Sequence, residues 1–176
     1  GEICASMPAH VTSNTGLDAL THCVEAYVSN IDNNIADALS KGGLEIVFDN
    51  LKEAVENPNN IVARQNMHDA SFMAGLAFNN AWLGIVHSLS HQVGALYGIP
   101  HGASNAIFLP NVIRYNAQAT NRFPDLARVI GKETAEDLAQ AIETLRSEVN
   151  NQAAIKEFGI SREDWDKNLD YIANNA

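Results

Sequence analysis

Residues 85–97 read Ile85-Val86-His87-Ser88-Leu89-Ser90-His91-Gln92-Val93-Gly94-Ala95-Leu96-Tyr97. Trp82-Leu83-Gly84 breaks the pattern before this run, and Gly98-Ile99-Pro100-His101 follows it as a tight loop. The run has helical length and is apolar nearly all round, which predicts a helix buried at the centre of a helical domain. Upstream, Leu17, Leu20, Val24 and Val28 recur at helical spacing, so a helix is expected from Asn14 or Thr15 to about Ser29. Further helices are expected over about Asn34–Val55, ending before Pro58, and Asn60–Asn80. Gly42-Gly43 costs ~1 kcal/mol per glycine against alanine, which predicts close packing there. Downstream, Ala103–Ala117 should form a helix bent at Pro110. Thr134-Ala135-Glu136-Asp137 and Ser161-Arg162-Glu163-Asp164 resemble capping boxes that open two more amphipathic helices. The first few residues are a weak strand candidate. An all-α, bundle-like fold is the expectation for residues 1–176.

Composition narrows the partners. The 176 residues suffice for a sizeable core. The net charge of −10, with no Lys/Arg cluster, argues against nucleic acid and against an anionic membrane surface. Only 18% of residues are charged, below the roughly 25% usual for soluble domains, so a covered surface and a homo-oligomer are expected. Cys4 and Cys23 form no motif, which points to a reducing cytoplasm. No apolar run approaches the roughly 20 residues that span a bilayer. The start, Gly1-Glu2-Ile3-Cys4, has no basic region and no initiator Met, so the chain is expected to be excised from something longer.

The six histidines carry the chemistry. Asp18 and His22 are four apart, as are His87 and His91, so each pair shares one helix face. His101 follows in a loop before a helix. Singly, each has a plainer reading. Asp18 could close a capping box from Thr15. His22 could be a core or subunit-facing residue. His87 and His91 could bond backbone carbonyls, and His101 could be a loop residue. Together they are harder to dismiss, because burying a polar group without a partner costs ~1–3 kcal/mol. A divalent cation would supply the partner. The positive end of the following helix would keep the His101 ring neutral and able to donate its lone pair. Spacing alone does not choose between His87 and His91. There is no G-x-S-x-G, H-E-x-x-H or C-x-x-C, and the glycines at 94, 98 and 102 do not fit G-x-G-x-x-G.

Longer segments are more specific. Thr15-Gly16-Leu17-Asp18-Ala19-Leu20-Thr21-His22-Cys23-Val24-Glu25-Ala26-Tyr27, Ala74-Gly75-Leu76-Ala77-Phe78-Asn79-Asn80, Leu83–His91, Pro100–Ile107 and Leu109-Pro110 resemble the iron-containing (group III) alcohol dehydrogenases. The resemblance covers at least residues 7–130. It implies that Asp18, His22, His87 and His101 are the metal ligands. It also implies that His91 sits near the nicotinamide and joins proton transfer without binding metal, and that Phe78 lines the substrate pocket. Such enzymes carry an N-terminal α/β domain whose Gly-Gly-Gly-Ser turn holds the cofactor phosphates, and that domain is not in this sequence. The expectation is therefore the C-terminal metal-binding half of an oxidoreductase. Its parent interconverts a small alcohol and its aldehyde or ketone with NAD(P), while the chain by itself lacks useful activity.

Three imidazoles and one carboxylate suit Fe(II), Zn(II), Co(II) or Ni(II); the resemblance favours Fe(II), with Zn(II) the stronger binder by affinity order. One carboxylate against a 2+ ion would leave about +1, which favours an alkoxide over an alcohol. Two other readings are open. One is a zinc-dependent glycerol dehydrogenase or dehydroquinate synthase-like domain, of the same architecture. The other is an oligomerisation domain of a longer aldehyde–alcohol dehydrogenase.

Overall fold

The computed structural model describes residues 1–31 and 33–176. The protein has eight helices among these residues and no strand. They are α1 (Ala9–Val28), α2 (Asn34–Glu56), α3 (Ile61–Ala81), α4 (Ile85–Tyr97), α5 (His101–Asn116), α6 (Phe123–Val129), α7 (Ala135–Glu148) and α8 (Arg162–Asn175). Short 3₁₀ turns occupy Glu2–Cys4, in the stretch named as a weak strand candidate, and Ile155–Phe158.

Side-chain caps set several boundaries. Asn33 accepts from the Ile35 and Ala36 amides, and Asn60 accepts from the Ala63 amide. Thr134 and Asp137 form the full reciprocal capping box of α7. Ser161 accepts from the Asp164 amide at the head of α8. These caps satisfy first-turn N–H groups that have no partner within the helix. At the end of α3, Trp82 takes φ 69°, in the left-handed region, and its N–H still reaches the Phe78 carbonyl at 2.7 Å.

The helix at the centre is α1, not α4. It packs against α2, α3 and α5, and it buries Leu17, Leu20, Cys23, Val24 and Tyr27. Where α2 crosses α1, a Cβ on Gly43 would sit 2.7 Å from Cys23 Sγ, so the expected close packing is present. In contrast, α4 lies on α5 and α8, burying Val86, His87, Ser90 and Val93 but leaving Ile85 and Leu96 exposed. Its apolar surround says that it is hydrophobic, not that this domain covers it. No described helix is long and apolar enough to cross a membrane.

Candidate metal centre

The first helix begins at Ala9 after Pro8, more than a turn ahead of its expected start. Thr15 is therefore inside the helix, its hydroxyl bonded to the Val11 carbonyl at 2.9 Å, and Asp18 closes no capping box. The Asp18 carboxylate instead faces the junction of α1, α4 and α5. Its Oδ1 is 3.5 Å from His101 Nε2 and 3.7 Å from His87 Nε2, and its Oδ2 is 3.9 Å from His22 Nδ1. Asp18, His22 and His87 present ligand atoms within 4.8 Å of one another. Metal–N and metal–O bonds of about 2.0–2.2 Å put ligand atoms up to about 4.4 Å apart, so small side-chain shifts suffice to close this group on an ion.

Gly102 makes the junction possible. A Cβ there would lie 2.0 Å from the Asn14 carbonyl oxygen and 3.2 Å from Asp18 Cβ. Only glycine lets the first turn of α5 press onto α1 and carry His101, the first residue of α5, to Asp18.

His91 takes no part in this group of atoms. Its exposed ring stacks on His101, with centroids 5.2 Å apart and planes 17° apart, and stands edge-on to His87 at 6.1 Å. Phe78, from α3, stacks on His22 with centroids 4.6 Å apart. All six residues singled out by the resemblance thus lie in one cluster, with His87 buried toward Asp18 and His91 turned outward.

Two further residues join it. Glu25, one turn beyond His22 on α1, is 4% exposed. Its Oε2 takes the Nδ1 hydrogen of His87 at 2.6 Å, and its Oε1 accepts the Val86 amide at 2.7 Å. One carboxylate thereby caps α4 and orients the His87 ring so that Nε2 faces Asp18. The second is Asn105, one turn beyond His101 on α5. Its Nδ2 is 2.6 Å from Asp18 Oδ1 and 3.1 Å from the Nε2 atoms of both His87 and His101. The only sequence signal for either residue is the i+3 or i+4 continuation of a ligand's own helix face.

Electrostatics favour a cation. Burial raises the Asp18 carboxyl, but the hydrogen bond with His87, the charge of His22 and the Asn105 amide outweigh it, so its pKa ends below the ordinary value. Burial, aided by neighbouring imidazoles, lowers His22 and His101, which keeps their lone pairs free. For His101 this is the direction expected from the helix end, but the causes are burial and, after it, the charges of His87 and His91. His87 is different. Burial works against its charged form, yet Asp18 and Glu25 on opposite sides push it up to about 9. A proton and a cation therefore both lay claim to one His87 lone pair. Glu25 is a second carboxylate beside the group, bonded to His87 rather than turned toward the shared centre.

The model of the Fe-containing alcohol dehydrogenase family, C-terminal part, matches residues 12–176. The chain belongs to the Fe-containing alcohol dehydrogenase family. Relatives include the 1,3-propanediol dehydrogenase of Klebsiella pneumoniae, 41% identical over 167 residues that cover 90% of this chain and 43% of the relative. A crystal structure of 1,3-propanediol oxidoreductase superposes with a TM-score of 0.91 at 38% identity, covering 97% of this chain and 46% of that one. A sulfoacetaldehyde reductase from Bifidobacterium kashiwanohense in complex with NAD+ superposes with a TM-score of 0.90 at 30% identity, covering 97% and 46%. The chain thus spans less than half the length of these relatives, and the all-helical part of their fold is what it shares with them.

Proposed function

We propose that this chain is the metal-binding helical part of an NAD(P)-linked alcohol dehydrogenase, and that Asp18, His22, His87 and His101 hold its catalytic cation. The observation that carries the reading is the meeting of three imidazoles around Asp18, from three different helices, with His87 braced by Glu25. The donor set fits a divalent first-row ion: Fe(II), iron being the metal in the family's description, or Zn(II), which binds such sites more tightly. When bound, the cation supplies Lewis acidity toward an alcohol or carbonyl oxygen, and NAD(P), held by the N-terminal nucleotide-binding domain of the parent chain, supplies hydride transfer.

The chain's own residues have distinct tasks in this reading. Asp18 offsets the ion's charge and gathers the imidazoles. Glu25 fixes the His87 tautomer, so that Nε2 presents its lone pair to the site. Phe78, flat against His22, gives the substrate an apolar wall and keeps water from that side. His91, exposed beside His101, is assigned the proton transfer next to the nicotinamide: it passes the substrate's proton to solvent in oxidation and returns it in reduction. Its two ring nitrogens can hold a proton on one side while releasing one on the other. The substrate is a small alcohol or the matching aldehyde or ketone. Both cysteines are free, in keeping with a cytoplasmic enzyme, and a homo-oligomer fits the exposed apolar residues of α3 and α4.

Metal analysis after anaerobic loading with Fe(II) or Zn(II) tests the reading. Asp18→Ala and His101→Ala should each lose the ion that the wild-type chain retains, while His91→Ala keeps it. A metal-free His91→Ala protein would sink the assignment of His91 as a non-ligand.

A further inference from the structure

Asn105 is completely buried, and its side chain is placed unlike that of an ordinary core asparagine. The nitrogen of a primary amide carries two hydrogens. Here that nitrogen lies 2.6 Å from Asp18 Oδ1 and 3.1 Å from the Nε2 atoms of His101 and His87, and its two hydrogens suffice for Asp18 and His101. Meanwhile the amide oxygen, Oδ1, is buried with no hydrogen-bond partner. An unsatisfied buried acceptor is costly, and turning the amide over would bring Oδ1 against the Asp18 carboxylate, so the nitrogen is held inward. A group with partial positive charge therefore stands where lone pairs from three proposed ligands converge.

We propose that Asn105 is a positioning residue that competes with the cation for the His101 lone pair. An imidazole nitrogen has a single lone pair in the ring plane, so it cannot serve an amide hydrogen and a metal ion together. A carboxylate oxygen has more than one, so the bond to Asp18 survives cation binding. Asn105 then holds Asp18 and His101 together before a cation arrives, and it yields the His101 contact when one does. The amide makes the site assembled in advance but lowers its affinity, which keeps cation exchange reversible. Asn105 itself is not a ligand in this arrangement.

The inference rests on the proposed cation site, and thermal melting of the full chain separates the two. Wild type, Asn105→Ala and Asn105→Asp are melted in chelator and in saturating Zn(II). In chelator both variants should melt below wild type. In Zn(II) both should show a larger cation-induced rise than wild type, with Zn(II) affinity from competition against a chelating dye several-fold tighter. The cavity left by alanine weakens the protein with and without cation alike, so it cancels in the difference. Asn105→Ala keeps the test open if the charged variant does not fold. A wild-type protein with no Zn(II)-induced rise would overturn the cation site, and the inference with it. A normal wild-type rise, with an equal or smaller rise and unchanged or weaker affinity in Asn105→Ala, would overturn the role of Asn105 alone.

Discussion

Glu25 and His87 meet at 2.6 Å, carboxylate oxygen to ring Nδ1, although they are 62 positions apart in the chain and both almost wholly buried. The same carboxylate binds the first amides of the helix that carries His87. Ring orientation and helix start are thus fixed by one side chain. Glu25→Gln should weaken cation binding by about 10–100-fold, as losing an outer partner of a ligating histidine does elsewhere. Titration of the purified variant with Zn(II), against wild type, gives the ratio. Unchanged affinity would remove Glu25 from the site's support. Glu25→Ala should also cost ~1–3 kcal/mol of stability, because a buried imidazole and an amide lose their acceptor.

His87 makes a prediction in pH. Its pKa rises on folding, from 6.5 to about 9, so without cation it stabilises the fold fully below pH 6.5. That contribution should fade as pH climbs through 9. His22 and His101 shift the opposite way and oppose it only below 6.5. Urea unfolding in chelator at pH 6.5, 8 and 9.5 should therefore show a decline from the His87 contribution, and Glu25→Gln should flatten it. A profile identical in the two proteins would contradict the pairing.

Gly102 has no room for a side chain. Gly102→Ala should destabilise by ~1–3 kcal/mol or more, because the Asn14 carbonyl lies 2.0 Å from the new Cβ and α5 must back away from α1. His101 withdraws with it, so cation retention should fall as well. Gly94→Ala is the control, since its Cβ would meet nothing nearer than 3.5 Å. Denaturant midpoints and metal content of the two variants should diverge, and equal behaviour would show that the close approach is dispensable.

Trp82 carries backbone strain. At φ 69° and ψ −178° it occupies a region that is almost the preserve of glycine, with its side chain 71% exposed. Such a conformation costs ~1–3 kcal/mol, and glycine's extra chain entropy takes back ~0.4–1 kcal/mol. Trp82→Gly should therefore raise the urea midpoint without changing the slope. A lower midpoint would mean that the indole's contacts outweigh the strain.

Several boundaries of the fold could be read directly because their signals are local. Asn33, Asn60, Thr134 and Ser161 cap helices through side chains that act within three residues. The start of α1 was missed because Pro8 caps it with no side-chain bond, leaving Thr15 as the first visible signal. The seven residues of α6 are too few to show a period. The apolar surface of α4 was legible, but which neighbours cover it is a tertiary fact. At the site, helical spacing presented Asp18, His22, His87 and His91 as candidates, the loop before a helix added His101, and the resemblance separated His91 from the rest. Glu25 and Asn105 stayed hidden because the carboxylate–imidazole and amide–carboxylate pairs that give them their roles, with His87 and Asp18, span 62 and 87 positions of the chain.

The four proposed ligands sit at positions 18, 22, 87 and 101, on the helix at the centre of the packing and on two helices that come much later in the chain. An ion held by all of them would be a cross-link as well as a reagent. It would tie the ends of a long stretch of chain, including α2 and α3, and so stabilise the fold against opening there in the way a clip across a long loop does. Removing it should release α4 and α5 from α1 before the hydrophobic interface of α1, α2 and α3 gives way. The ion's loss would then be felt first as local unfastening rather than as collapse of the whole.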